Sequence, residues 1–350
     1  MSKRAMAAAV AVAAMGALSA CNSSNNNVSL SGAGSTFVNP VMTRWTHDFS
    51  SAHPNVQINY QSIGSGAGIQ QVKAKTVDFG ASDVALTDAQ LAGMDPVVQI
   101  PESAGPVCIT YNLPGLTNPL RLSPDSLAKL FLGKIKTWTD PELVKDNPGV
   151  TLPKLPVVIS HRSDSSGTTG IFTAYLSAVS PDWQKGPGSG TAVSWPTGIG
   201  GKGSEGVTGN IRNTAGAIGY VELTYAQQNN LPTAAIENQA NQFVQPTAAG
   251  TTADITAFAA QLAQDPRKPI VNPPASAADA YPISGLTFLI IPKDGPDKAK
   301  RAALKQFVQY IISDGQATAG TLNYAPLPDG VKQFDQQQLG QLTAAGQPIS

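Results

Sequence analysis

Apolar positions along this chain follow two rhythms, one of period two and one of three to four, and their succession predicts a layered α/β protein. Val28 to Ser31 reads as a strand. The run after Phe37 carries Val38, Val41, Met42, Trp45 and Phe49, which fall on one face of a helix. Val56, Ile58 and Tyr60 alternate as a half-buried strand, Ile69 and Val72 mark a second helix, and Val77-Asp-Phe-Gly-Ala81 gives a third strand. A βαβαβ unit of this kind builds a parallel sheet, with its strands ending at Ser35-Thr36, Ser65 and Ser82-Asp83 on one edge. A second unit begins after the proline-rich segment Pro114 to Pro119. Its strand is Pro156-Val-Val-Ile-Ser160, and its helix starts at Gly167 with Ile171, Phe172, Tyr175 and Val179 inward. Near the C-terminus the strand Leu286 to Ile291 precedes a helix carrying Leu304, Phe307, Val308, Ile311 and Ile312. No internal repeat interrupts this order.

Three polar turns stand where a predicted strand hands over to a predicted helix: Gly32-Ala-Gly-Ser-Thr-Phe37, Ile63-Gly-Ser-Gly-Ala-Gly68 and Ser163-Asp-Ser-Ser-Gly-Thr168. Free backbone N–H groups and helix N-termini at such turns point into a common crevice, which makes an anion site. Two familiar anion motifs do not fit. The first turn lacks the third glycine of a dinucleotide fingerprint, and no acidic residue at ribose spacing follows it. Gly198-Ile-Gly-Gly-Lys-Gly-Ser204 resembles a P-loop only superficially, because Pro196 replaces its first glycine and Gly203 follows the lysine. That segment reads as a surface loop with backbone turns, and a contact lining the crevice is its second reading.

Composition narrows the anion. The 350 residues carry 23 basic and 23 acidic side chains, so no general positive field exists and nucleic acid is not an expected partner. Any anion must be held by local dipoles and one or two placed charges. The N-terminus reads as an export leader: Lys3 and Arg4, an alanine-rich stretch to Ala17, then the lipobox Leu18-Ser-Ala-Cys21. The expectation is a lipoprotein signal peptide over 1–20, a lipid-bearing Cys21, and a polar tether over 21–27. Cleavage leaves 21 basic against 23 acidic residues, a formal charge of −2. Cys108, in Pro106-Val-Cys-Ile-Thr-Tyr111, is then without a disulfide partner and reads as a small hydrophobe in a buried strand. His47, His53 and His161 show no metal-ligand spacing, so neither metal nor cofactor is expected. A different class, an exported serine hydrolase, would pair Ser166 with His161 and Asp164. Asp164 stands where the Gly-x-Ser-x-Gly pattern needs its first glycine, and triad members seldom share one loop.

The chain resembles the PstS phosphate-binding proteins, the extracytoplasmic receptors of high-affinity phosphate ABC transporters. Gly32 to Phe37, Tyr60-Gln-Ser-Ile-Gly-Ser65, Asp78-Phe-Gly-Ala-Ser-Asp83, Arg162-Ser-Asp-Ser-Ser-Gly-Thr168, Gly200 to Gly203, Gly216-Ala-Ile-Gly-Tyr-Val221 and Tyr324-Ala-Pro-Leu-Pro328 carry the likeness. Ser35, Ser165 and Val84-Ala85 depart from the alanine, glycine and alanine-proline common in that family. The resemblance implies a two-lobed type II periplasmic binding protein fold with the ligand cleft between lobes. Lobe I would be 28–104 with 284–350, and lobe II 105–283. It implies phosphate contacts from Thr36, Phe37, Ser65, Asp83, Arg162, Ser166, Gly167 and Thr168, no catalysis, and a monomer that delivers phosphate to ABC permease subunits. A stand-alone envelope phosphate sensor is the second reading within this class. In either, Asp83 is the expected filter: phosphate still carries a proton to donate to a carboxylate, whereas sulfate has none and meets repulsion. Arg162 would supply the compensating charge, with Asp164 orienting its guanidinium.

Overall fold

The computed structural model describes residues 27–349. The predicted leader, Cys21 and the first part of the tether lie outside the described residues. The strands of the main sheet are β1 (Val28–Gly34), β2 (Val56–Ser62), β3 (Phe79–Ser82), β4 (Val97–Tyr111), β5 (Val158–Arg162), β6 (Ile199–Gly201), β7 (Ala217–Glu222) and β8 (Ser284–Pro292). They form one sheet in the order β2-β1-β3-β8-β4-β7-β5-β6. The helices that concern the site are α1 (Asn39–Ala52), α2 (Ser65–Lys73), α3 (Gly167–Val179), α4 (Gly203–Asn213), α5 (Leu223–Gln228), α6 (Lys298–Ile312) and α7 (Asp329–Leu339).

The periodicities place these elements well. Val41, Met42, Trp45 and Phe49 of α1 are buried, as are Leu304, Phe307, Val308, Ile311 and Ile312 of α6. The two helices meet through Phe49 and Phe307, whose ring centroids are 5.2 Å apart. In α3, Ile171, Phe172 and Tyr175 are buried and Val179 is half-buried. Cys108 lies buried in β4.

The sheet itself is mixed rather than parallel. β1 pairs in parallel with β2 and β3, and β5 does so with β6 and β7, but β4 and β8 run antiparallel to their neighbours. β4 is the seam. Its residues 97–106 pair with β8, and from Val107 onward it pairs with β7. Pro101 and Pro106 obscure this strand in the sequence, because proline removes a ladder donor. Both sit where the ladder is already irregular: Pro101 beside the bulge between Thr287 and Phe288, Pro106 at the change of partner.

Two predicted strands start later than their apolar runs. The Asp78 carboxylate accepts from the N–H (2.7 Å) and hydroxyl (3.0 Å) of Ser31, so regular pairing of β3 begins at Phe79. Pro156 bridges to Thr137 and the Val157 N–H donates to Lys136, which delays β5 to Val158.

One buried group gives a test of stability. Asp335 in α7 is fully buried, and neither carboxylate oxygen finds a hydrogen-bond partner among the described residues. Burial raises its carboxyl to about 8. A raised folded-state value means its contribution is fully present below the ordinary value and lost as pH rises toward 8, at roughly 1.4 kcal/mol per pH unit. Asp335→Asn is expected to melt about 5 °C above the parent at pH 8, and the gain should shrink at pH 5. Equal gains at both pH values in calorimetric melts would contradict a buried, neutral carboxyl.

Candidate functional site

The ends of β1, β2 and β3 present Thr36, Ser65 and Asp83 at one sheet edge, and all three are buried. From the far half of the sheet, β5 delivers Arg162 and the loop behind it leads into the N-terminus of α3. The two sets meet directly. Arg162 Nη1 donates to Thr36 Oγ1 at 3.0 Å, the Gly167 N–H to Ser65 Oγ at 3.1 Å, and Thr168 Oγ1 to Asp83 Oδ2 at 3.0 Å. The Gly66 N–H donates to the Ser165 carbonyl at 3.0 Å.

Each side chain is set by its neighbours. Ser166 is the N-cap of α3, its hydroxyl accepting from the Thr169 N–H at 3.1 Å, which leaves the N–H groups of the first turn free of helical partners. Arg162 is almost wholly buried. Its Nε and Nη2 donate to Asp164 Oδ1 and Oδ2 at 2.7 and 2.6 Å, a bidentate pair that fixes the guanidinium plane. Burial works against both charges, yet the pairing prevails: Arg162 is held above its ordinary value and Asp164 below its own. Gly64, with φ +93°, makes room for this pair, since a Cβ there would lie 2.4 Å from Asp164 Oδ2.

Asp83 is the one carboxylate that faces these donors from the first sheet edge. Burial raises its carboxyl above the ordinary value, opposed by hydrogen bonds from Ser35 and Thr168 and by the charge of Arg162. Ser35 donates from its hydroxyl to Asp83 Oδ1, so the serine adds a contact that alanine lacks. The same hydroxyl oxygen accepts from the Phe37 N–H at 3.0 Å. The Phe37 ring is buried edge-on against Tyr324, so this residue offers the crevice its backbone only.

The segment read as a surface loop proves otherwise in part. Ile199 and Gly200 are exposed, but Gly203 and Ser204 are buried at the start of α4. Ser204 donates from its N–H to Thr36 Oγ1 at 3.2 Å and shares a 2.8 Å hydrogen bond between the two hydroxyls. The Gly203 N–H donates to Asp164 Oδ1 at 3.2 Å. A glycine-glycine-lysine-glycine-serine run ahead of Val207 and Ile211 was the available signal for this helix start. Tyr225 of α5, whose hydroxyl lies 2.7 Å from the Thr36 carbonyl and 3.0 Å from Glu205 Oε1, left no such trace.

A hydrolytic constellation is not assembled. The Ser166 hydroxyl caps a helix, while His161 stacks on Trp195 at 4.8 Å and its Nδ1 lies 3.0 Å from the Arg162 carbonyl. What converges instead is a buried cluster of hydroxyl, guanidinium and amide donors around the Asp83 carboxylate. Such a cluster suits a small oxyanion that still carries a proton.

Comparison with known proteins agrees with this chemistry. A family model described as a PBP superfamily domain matches residues 20–315. The phosphate-binding protein PstS of Xylella fastidiosa is 43% identical over 313 residues, covering 88% of this chain and 84% of the relative. The protein of that name from Methanocaldococcus jannaschii is 36% identical over 323 residues, covering 85% and 82%. A solved high-affinity periplasmic phosphate-binding protein, with phosphate bound, shares the fold with a TM-score of 0.69 at 23% identity, covering 89% of this chain and 93% of its own.

Proposed function

From the premise that this chain belongs to the PstS family of phosphate-binding proteins within the PBP superfamily, we propose that it captures inorganic phosphate in the crevice and hands it to an ABC permease for import. Its architecture is the type II periplasmic binding protein fold. Lobe I comprises 28–104 with 284–350 and lobe II 105–283. The change of partner along β4 at Val107 supports that division. Thr36, Phe37, Ser65 and Asp83 contact the ion from lobe I, and Arg162, Ser166, Gly167 and Thr168 from lobe II. The protein acts as a monomer outside the cytoplasm, held to a membrane by lipid on Cys21. No helix among the described residues is long and apolar enough to cross a membrane.

The observation that carries the reading is Asp83, a buried carboxylate set among donors. Donors stabilise any oxyanion once water is excluded; only an ion bearing a proton satisfies the acceptor as well. Capture then proceeds by hinge closure, which replaces the ion's hydration with these fixed dipoles.

Calorimetric titration of ligand-stripped protein beginning after Cys21 tests this. Tight one-to-one phosphate binding with no response to sulfate is expected near neutral pH. In Asp83→Asn, phosphate should bind about tenfold or more weakly and sulfate should gain one to two orders of magnitude, since a repulsive contact has become neutral. Equal binding of both ions by the parent protein, or of neither, overturns the proposal.

A further inference from the structure

Ser35, between Gly34 and Thr36, is fixed at its backbone and free to turn only at its hydroxyl. Its N–H donates to the Ala81 carbonyl at 2.9 Å, and its own carbonyl accepts from the Tyr60 hydroxyl at 2.8 Å. The residue is fully buried. A hydroxyl has one proton to give and lone pairs with which to receive. Here the proton goes to Asp83 Oδ1, and the oxygen accepts from the Phe37 N–H at 3.0 Å, with the Val38 N–H 3.4 Å away. These groups follow directly on the adjoining ends of β1 and β3.

The phosphate reading asks the same two contacts of a protonated phosphate oxygen: an amide N–H to accept from and the Asp83 carboxylate to donate to. Phe37 has only that amide to offer, because its ring packs against Tyr324. A backbone N–H is a single donor, so an anion that takes it must take it from Ser35. The two backbone bonds keep the residue from retreating. Only rotation of its side chain clears the amide.

We propose that Ser35 sets the affinity of the crevice: its hydroxyl stands in for the protonated oxygen of phosphate, and the anion must displace it to bind. The two contacts are not contested equally. A carboxylate oxygen can accept from more than one donor, so Asp83, which also accepts from Thr168 at 3.0 Å, can receive the proton of phosphate beside that of Ser35. The exchange is therefore felt at the Phe37 N–H, where one internal hydrogen bond is given up for each anion bound. Alanine at this position keeps the Cβ and both backbone bonds and deletes only the competitor.

This inference rests on the phosphate reading, and the experiment separates the two. Calorimetric titration with phosphate near neutral pH compares the parent with Ser35→Ala, and thermal melting compares the same two proteins without phosphate. Ser35→Ala is expected to bind phosphate about fivefold more tightly, the worth of one internal hydrogen bond no longer exchanged. It is also expected to melt below the parent, since Asp83 and the Phe37 amide lose a buried partner. Opposite signs are the signature, because a serine that only supported the fold would lower both affinity and melting temperature on its removal. Should Ser35→Ala fail to fold, a crystal structure of the parent with phosphate decides. The Phe37 N–H directed at phosphate, with the Ser35 hydroxyl turned away from it, supports the role; a hydroxyl still accepting from that N–H overturns it. Weaker or unchanged phosphate binding by a folded Ser35→Ala, beside a parent that binds phosphate, overturns the role of Ser35 alone. A parent that binds none overturns the phosphate reading, and this inference with it.

Discussion

Arg162→Gln is expected to weaken phosphate binding by about three orders of magnitude while leaving the fold standing. Arg162 is the one cation in the crevice among the described residues, buried and held by two hydrogen bonds to Asp164 and a third to Thr36. Removing it leaves Asp83 and Asp164 to face an incoming anion with no countercharge. Breaking one partner out of a buried ionic network costs about 3–5 kcal/mol, and each ~1.4 kcal/mol is a factor of ten in affinity. Arg162→Lys should recover little of this, because an ammonium cannot span both Asp164 oxygens and reach Thr36 in one plane. Calorimetry gives the affinities, and melting of the unliganded variants separates loss of binding from loss of fold. Arg162→Gln binding phosphate like the parent would remove the guanidinium from the site.

The lessons of sequence against structure come from particular residues. The turns were legible because each requirement is local: a strand, a glycine or serine where backbone must approach an anion, a helix start. Arg162, Asp164 and Ser166 lie within five residues, so their geometry follows from one loop. Crossing strand β4 was legible only beyond Pro106, since the strands that pair with it, β8 and β7, lie more than a hundred residues away. Tyr225 escaped for the same reason. A tyrosine in a helix acquires meaning only through what the other half of the chain brings to it, here the Thr36 carbonyl. Ser35 was visible as a departure from the family, but its bond to Asp83 depends on β1 and β3 lying side by side.

The proposed closure rests on a single missing methyl group, and Gly167→Ala should expose it. Gly167 opens α3 with an ordinary backbone conformation, so nothing in its own lobe requires glycine, and alanine is the better helix former. The requirement comes from across the cleft. A Cβ at this position would lie 2.6 Å from the Asp83 backbone nitrogen, 2.6 Å from Ser65 Oγ and 2.7 Å from Asp83 Cβ. These distances are nearly 1 Å inside ordinary van der Waals contact, and a backbone atom cannot swing aside. The lobes must therefore stop short. The bonds from Gly167 to Ser65 and from Thr168 to Asp83 are stretched, and water enters where the ion should be dehydrated. Losing two or three such bonds, at about 1–1.5 kcal/mol each, predicts a hundredfold or greater loss of phosphate affinity. The melting temperature of the unliganded protein should be unchanged or slightly raised. Small-angle scattering at saturating phosphate should then show Gly167→Ala less compact than the parent. If the variant instead binds as tightly and closes as far, the lobes do not need the approach seen here, and phosphate must be held by one of them alone.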